Sequence, residues 1–401
     1  MKKLLLSLAI VVLSTAAFAQ KKVVRSANKN FKKDNLEVAL EEIQEAAAHE
    51  DTKDDPGTYL LKAQILTKMF DQYEEYDMQS VEKGRNAFNA FMETMKMVDN
   101  DKNSKIGKDV YKEEIPGMPD NLRPYSLVSV KLGAFQRAID TYEEDDFEMA
   151  YEYFALAADI EPTDTTLNFN AGFLANDLGK PEEAKKFFNR LLEVDGYDKL
   201  NAYYFLIQMA VNDNDTEGAY DVVSQARTLY PEDKTLTEFE IQLLLQMDKL
   251  DDAVKSVEAA LVDDPDNVNI RLRYGYLKEQ SGDIDGALEQ YKKTVESQPD
   301  FFEGNFYTGA LYLDKARQIL SEINDLSDEE WEKRAPEMTE QAENLYKEAV
   351  PYFERAVAQR EDNTEILEIL YNIHSRLKND AEAEKYNKRL VELLGPDWLE
   401  G

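Results

Sequence analysis

The chain has no cysteine among its 401 residues. It therefore forms no disulfide and offers no thiol nucleophile, and it lacks the cysteine that a bacterial lipoprotein needs for acylation. Histidine is nearly absent too, since only His49 and His374 occur, at opposite ends of the sequence. Motifs of the type H-E-x-x-H, G-x-S-x-G and the P-loop are also missing. We therefore expect no catalytic residue, no metal site and no cofactor.

Two acidic segments have part of the oxygen spacing of a calcium loop. Residues 99–103 place side-chain oxygens at the first, third and fifth positions, but Ser104 stands where such a loop needs its turn glycine and Val110 where it needs a glutamate. Residues 213–218 come closer, yet Ser224 occupies the closing position. We interpret both segments as turns between helices.

Long apolar runs are lacking as well, and the longest relevant one is the ten residues 4–13. This run is too short to span a bilayer, which takes about 20 apolar residues. It follows Lys2 and Lys3 and precedes Ala17 and Ala19, a small-x-small cleavage pattern. We therefore expect residues 1–19 to be a signal peptide cleaved after Ala19, with no membrane anchor in the mature protein. The expected location is the periplasm, with secretion as the alternative.

Positive charge is scarce compared with negative charge: 47 Lys and Arg face 81 Asp and Glu, which gives a net charge of −34. Such a surface repels phosphate backbones and anionic lipids, so nucleic acid is not an expected partner. The charge keeps a large helical surface in solution, and it also favours a basic protein or peptide as partner.

Glycine is sparse and no segment alternates apolar and polar residues as a strand would, but alanine recurs with a period near 34. A large apolar residue follows each of these alanines by four positions, and a proline or glycine follows by twelve. Offsets of 0 and 4 lie on one face of a helix, and the proline or glycine ends that helix. The five alanines of this ladder are Ala150, Ala184, Ala219, Ala253 and Ala287.

The pattern resembles the tetratricopeptide repeat, a pair of helices of 34 residues. Residues 268–299 carry the resemblance best, with Gly275, Ala287, Tyr291 and Pro299 at the positions where the repeat has its small, alanine, aromatic and proline residues. The resemblance implies an all-α fold, an α-solenoid of about nine such units that covers nearly all of the mature chain. The five units between 131 and 299 are close to regular length.

Departures from the period divide the array. We predict an N-terminal pair of units at 20–101, an irregular linker at 102–124 that is rich in proline, and the main array at 125–401. Residues 316–341 form an insertion. There Ser327 to Glu330 predict a capping box that opens a small helix carrying Trp331, and the chain is expected to restart at Pro336. Pro351 is expected to bend the helix that follows.

In the family, the first helices of successive units line a concave groove that binds an extended peptide. Carried onto this sequence, the groove positions combine aromatic side chains, which can hold apolar side chains, with amides and an arginine, which can hold a peptide backbone. Packing between repeats is the alternative role for each aromatic. The candidate groove residues are Phe169, Asn170, Phe173, Asn176, Tyr204, Gln208, Gln242, Arg273, Tyr276, Phe306 and Tyr307.

These observations predict a non-catalytic scaffold in the bacterial cell envelope that binds a protein or peptide in its groove. Two other functions stay open: an envelope assembly factor that acts through its convex face and the insertion with Trp331, and a binder of glycan or peptidoglycan. The sequence leaves the oligomeric state open.

Overall fold

The computed structural model describes residues 21–115, 117–119 and 122–400. The predicted signal peptide and its cleavage site lie outside these residues. Every regular element that the model describes is helical, which confirms the all-α prediction. None of the described helices is long and apolar enough to cross a membrane.

Helices follow one another as nine pairs over the described residues, and one short extra helix lies in the predicted linker. The first helices of the pairs are α1 (21–32), α3 (Pro56–Asp71), α6 (Leu127–Glu143), α8 (Thr165–Asp177), α10 (Leu200–Asn212), α12 (Lys234–Gln246), α14 (Val268–Gln280), α16 (Phe302–Asn324) and α18 (Thr364–Arg376). The second helices are α2 (Leu36–Ala48), α4 (Met78–Lys96), α7 (Phe147–Ile160), α9 (Pro181–Glu193), α11 (Thr216–Leu229), α13 (Leu250–Asp263), α15 (Ile284–Ser297), α17 (Asp328–Gln359) and α19 (Asp380–Leu394). The extra helix is α5 (Lys105–Val110).

The chain divides into two compact units, an N-terminal unit of Met1–Met209 and a C-terminal unit of Ala210–Gly401. The division falls inside α10. The N-terminal unit contains the linker, and the C-terminal unit contains the insertion.

The alanine ladder marks the places where the two helices of a pair touch. All five alanines have no exposed surface. In three pairs a glycine on the first helix faces an aromatic ring of the second: Gly172 faces Phe188, Gly275 faces Tyr291 and Gly309 faces Phe353. A side chain at these glycines would occupy the space of the ring, so the small residue lets the helices approach closely.

The turn inside a pair is the same in most units of the array. One residue adopts the left-handed conformation and the next caps the second helix, as in the Schellman motif. Backbone hydrogen bonds from Lys180 to Ala175 (2.8 Å) and from Asp283 to Lys278 (2.8 Å) close two of these turns. Glycine occupies the left-handed position in only two of these turns, and Asp, Asn or Lys adopts the left-handed conformation in the others. The left-handed residues of these turns are Asp34, Asp145, Gly179, Asn214, Asp248, Gly282 and Lys378.

The prolines that end the second helices have a further role that the sequence did not indicate. A side chain six residues downstream, on the next first helix, donates a hydrogen bond to the carbonyl oxygen of the proline. Asn168 Nδ2 binds the oxygen of Pro162 at 3.0 Å, and Asn305 Nδ2 binds that of Pro299 at 2.8 Å. Both asparagines are fully buried. They therefore fasten the turn between repeats to the next repeat.

The predicted linker contains the six-residue helix α5 and is fastened by one arginine. Arg123 Nε donates to Glu114 at 2.7 Å, and its two Nη atoms donate to the carboxylate of Asp71 at the end of α3. These carboxylates raise the pKa of the guanidinium against the effect of its burial. The end of the linker is therefore bound to the C-terminal end of α3, the first helix of the second pair.

A second arginine of the N-terminal unit, Arg137, is buried and has no carboxylate partner among the residues that the structure describes. Arg137 on α6 donates through Nη2 to the carbonyl oxygens of Phe70 (2.9 Å), Asp71 (3.3 Å) and Tyr73 (3.0 Å). These oxygens belong to the C-terminal end of α3, where a helix carries partial negative charge. Arg137 thus caps a helix more than 60 residues earlier in the chain.

The insertion lengthens α16 and α17 into an extended helical hairpin, without the predicted break. Ser327 and Glu330 do form the capping box. The small helix and the restart at Pro336 are wrong, because α17 runs for 32 residues through both Pro336 and Pro351. Ala335 and Met338 pack against Ile323 of α16 on either side of the proline. This packing holds the helix together across the missing hydrogen bond.

Candidate functional site

A cleft of about 350 Å³ lies on the first helices of the C-terminal unit. It is bounded by α12, α14 and α16, and one residue of α15 closes its inner end. Three of the predicted groove residues, Arg273, Tyr276 and Tyr307, lie together here. The cleft, which we call the tyrosine cleft, is lined by Leu245, Asn269, Leu272, Arg273, Tyr276, Tyr291 and Tyr307.

The tyrosine rings give this cleft an aromatic wall. Tyr291 is buried and stacks on Tyr307 with ring centroids 5.5 Å apart. Its hydroxyl donates to Glu279 at 2.9 Å, and burial together with this carboxylate raises its pKa. Tyr276 and Tyr307 remain 44% and 41% exposed. Neither of their hydroxyls has a hydrogen-bond partner among the described residues, so both are available to a ligand.

Arg273 supplies the charged group of the tyrosine cleft. Burial lowers the pKa of its guanidinium, and the nearby carboxylate of Glu238 opposes this effect. Within the part of the chain that the structure describes, Arg273 forms no hydrogen bond and no ion pair. A half-buried guanidinium without a partner is costly, and a ligand carbonyl or carboxylate in the cleft would remove that cost.

The aromatic residues of the N-terminal unit form a different arrangement, a packed cluster of four phenylalanines. Phe188 is fully buried and stacks on Phe205 at 4.7 Å. Phe169 meets both rings edge-on and stacks on Phe173 at 6.4 Å. Phe173 alone is exposed. The cluster therefore packs α8 against α9 and α10 and presents one ring to the surface.

The other predicted groove residues are dispersed. The side chain of Asn170 donates to the carbonyl of Thr166 on its own helix at 2.9 Å. Asn176 and Gln208 are exposed, while Tyr204 and Gln242 are half-buried. Phe306 packs inward against Phe302 and Phe353. Its contacts are those of a core residue.

Trp331 lies near the start of α17, on the long hairpin, and is 54% exposed. It is the largest exposed aromatic side chain that the structure describes. The tyrosine cleft and the hairpin both belong to the C-terminal unit.

Sequence reasoning missed two kinds of lining residue. Asn269 occupies a groove position of the repeat and could have been named by the same rule that gave Arg273. Tyr291 stands at the aromatic position of the second helix, where only packing was expected. It packs against Gly275 and also closes the cleft.

Neither histidine lines the tyrosine cleft. His49 caps the end of α2, and its Nδ1 accepts from the backbone of Asp51 at 3.2 Å. His374 on α18 is buried and stacks on Tyr386 at 5.7 Å, and burial lowers its pKa. No group of three or more potential metal ligands occurs in the described ranges.

Paired helices with a constant turn and buried small residues at their crossings define a helical repeat protein. Family models of the tetratricopeptide repeat match residues 165–198 and 244–303. The chain thus contains tetratricopeptide repeats at these residues. The second match includes every lining residue of the tyrosine cleft except Tyr307. Proteins of this kind are typically non-catalytic and bind other proteins.

Solved structures give partial matches. YrrB, a TPR protein described as having an unusual peptide-binding site, is 20% identical over 43% of this chain and 89% of its own, with a TM-score of 0.37. MamA is 18% identical over 42% of this chain and 92% of its own, with a TM-score of 0.37. PilF of Pseudomonas aeruginosa is 14% identical over 66% of this chain and 92% of its own, with a TM-score of 0.34. No curated protein matches the sequence.

Proposed function

We propose that this protein is a non-catalytic scaffold that binds a protein or peptide partner in the tyrosine cleft. The observation that carries the proposal is the juxtaposition of Arg273, Tyr276 and Tyr307, three polar or aromatic groups with unused hydrogen-bonding capacity around one cleft. Aromatic side chains with a polar end are typical of binding sites, because they bury a large area and lose little conformational freedom.

The size of the cleft suits side chains of an extended peptide. Its volume of about 350 Å³ is near the lower end of the range for ligand pockets. An apolar peptide side chain would rest on Leu272 and the Tyr276 ring. The peptide carbonyls would accept from Arg273 and from the tyrosine hydroxyls. The helices that carry these groups are already ordered, so little conformational entropy is lost on binding.

The overall charge favours a basic partner. The net charge of −34 speeds the approach of a positively charged protein and slows that of an acidic one. This attraction acts at long range and weakens with salt. The long-range attraction thus favours basic partners. The tyrosine cleft then binds a segment of the partner at close range.

Loss of an aromatic wall residue should reduce peptide binding. For peptides selected from a random 12-residue library against the wild-type protein, we expect Tyr276→Ala and Tyr307→Ala each to raise the Kd about ten-fold, the usual effect of removing a central aromatic. Fluorescence anisotropy measures the change. The control is Trp331→Ala, which removes another exposed aromatic of the same unit. A Kd that changes for Trp331→Ala and not for the two tyrosine variants would assign binding to the hairpin.

Binding through the hairpin is the second candidate function. The exposed Trp331 on an extension that the regular repeats lack favours it. In that case the protein would act as an assembly factor whose tyrosine cleft plays no part.

We also propose that the protein works outside the cytoplasm. The support is the charged, apolar and small-x-small order of residues 1–19 and the complete lack of cysteine. N-terminal sequencing of the protein from a periplasmic fraction should begin at Gln20. A protein that begins at Met1 and stays in the cytoplasmic fraction would contradict the proposal.

A further inference from the structure

A second cleft, of about 580 Å³, lies between the long hairpin and the helix that follows it. Its floor consists of buried apolar side chains from three helices: Leu313 of α16, Tyr346 of α17 and Ile373 of α18. Leu320 and Ile369 extend this floor as half-buried residues. We call it the arginine cleft, for the two arginines on its rim, Arg317 and Arg376.

The arginine cleft exists because of the insertion. A first helix of 13 residues, such as α14, is usual in this array, but α16 continues for 23 residues. Arg317, Ser321 and Asn324 all lie in the added turns and form one wall of the cleft. The opposite wall is α18, with Asn372 and Arg376. The insertion thus builds a surface that a repeat of regular length lacks.

The charge of this cleft is opposite to that of the chain. Both charged residues among its lining are arginines, and none of the residues that line it is acidic, although acidic residues outnumber basic ones by 81 to 47 in the sequence. A basic partner drawn in by the overall charge would meet repulsion here.

The polar groups of the rim have few partners of their own. Arg376 lies over the Tyr346 ring at 5.6 Å and forms no hydrogen bond or ion pair within the described chain. Among the described residues Arg317 pairs with Asp314 alone, on its own helix at 3.3 Å, and both side chains are largely exposed. Such a pair contributes little and is easily exchanged for another. Ser321, Asn324 and Asn372 likewise have no hydrogen-bond partner among the residues described.

We propose that the arginine cleft binds an acidic segment of a protein or peptide. Carboxylates of the segment would pair with Arg317 and Arg376, because a guanidinium binds a carboxylate with two parallel hydrogen bonds. Apolar side chains between the carboxylates would lie on Leu313, Tyr346 and Ile373. A small anion would use the arginines and leave this floor uncovered, so a peptide fits the whole cleft better.

The test uses a fluorescein-labelled synthetic peptide of alternating glutamate and leucine, and the same peptide with glutamine for each glutamate. We expect the wild-type protein to bind the glutamate peptide at least ten-fold more tightly than the glutamine peptide, with an affinity that falls as salt rises. The double variant Arg317→Gln, Arg376→Gln should lose this preference.

The matched control is Arg334→Gln, an exposed arginine of the same hairpin that does not line the cleft. It changes the net charge in the same direction and should retain the preference. Equal affinity for both peptides, or equal loss in the control and the double variant, would overturn the proposal. If millimolar inorganic phosphate displaces the peptide, the proposal of a peptide ligand is overturned and a small anion is the ligand of the cleft.

The proposal stands apart from the tyrosine cleft. Tyr276→Ala should leave binding of the glutamate peptide unchanged, and the arginine variants should leave binding of the library-selected peptides unchanged. The proposal for one cleft can therefore be contradicted while the proposal for the other cleft still holds.

Discussion

Replacement of Arg137 by methionine should destabilise the N-terminal unit by about 3 kcal/mol. Arg137 donates to the backbone oxygens of Phe70, Asp71 and Tyr73 from a buried position. A hydrogen bond that involves a charged group contributes about 1.5 to 3 kcal/mol, and the Phe70 oxygen keeps the backbone N–H of Tyr73 as a donor at 3.2 Å. The guanidinium also lies over the Phe70 ring at 4.3 Å. Methionine retains the apolar stem of arginine, so the change isolates the polar contribution.

Hydrogen exchange measured by mass spectrometry checks this locally, because a repeat array need not unfold in one step. Peptides from α3 and α6 should exchange much faster in the variant. The control is Arg85→Met on α4, whose ion pairs with Glu152 and Asp159 are about 3.5 Å long and partly exposed; its loss should cost less than about 1 kcal/mol. Equal exchange in the two variants would show that Arg137 does not cap α3.

Gly275→Ala should destabilise the C-terminal unit by about 2 kcal/mol, although alanine is the better helix former. The added Cβ would lie 2.4 Å from Cε1 and 2.5 Å from Cδ1 of Tyr291. That ring is buried, stacks on Tyr307 and is held by Glu279 through its hydroxyl, so it cannot move freely. Overpacking of this kind costs about 1 to 3 kcal/mol. The displaced ring would also distort the tyrosine cleft and weaken peptide binding.

A urea titration of the protein, monitored through the hydrogen exchange of α14 and α15, measures the change in the free energy of unfolding of the C-terminal unit. Gly172→Ala should cost less, because its Cβ would lie 3.1 Å from the Phe188 ring. In a Tyr291→Leu background the Gly275→Ala change should cost almost no free energy of unfolding, since the obstructing ring is gone. A cost that stays the same in both backgrounds would place the strain elsewhere.

The fold could be predicted because its determinants are local and periodic. An alanine, glycine or proline at a fixed offset acts through the helix that carries it or through the neighbouring helix. The continuity of α17 across Pro336 could not be predicted in this way. It depends on Ile323 of another helix, whose packing compensates for the missing backbone hydrogen bond. Arg137 was missed for the same reason, because the helix end it caps lies far away in sequence.

The tyrosine cleft was partly predictable. Arg273, Tyr276 and Tyr307 occupy first-helix positions that the resemblance assigned to the groove, and the structure brings them to one cleft. Phe169 and Phe306 occupy similar positions, yet both pack into cores. The sequence could not distinguish residues that line the cleft from residues that pack into a core, because exposure depends on the size of neighbouring side chains. The arginine cleft was missed since Arg317 lies outside the regular repeat.

The most direct test of the binding role is photocrosslinking in cells with a photoreactive amino acid at position 276 or at position 331. Both positions are exposed and belong to the same unit. If the partner binds in the tyrosine cleft, we expect a crosslinked partner at position 276 and little or none at position 331. Capture of the partner at position 331 alone would contradict binding in the cleft and assign it to the hairpin.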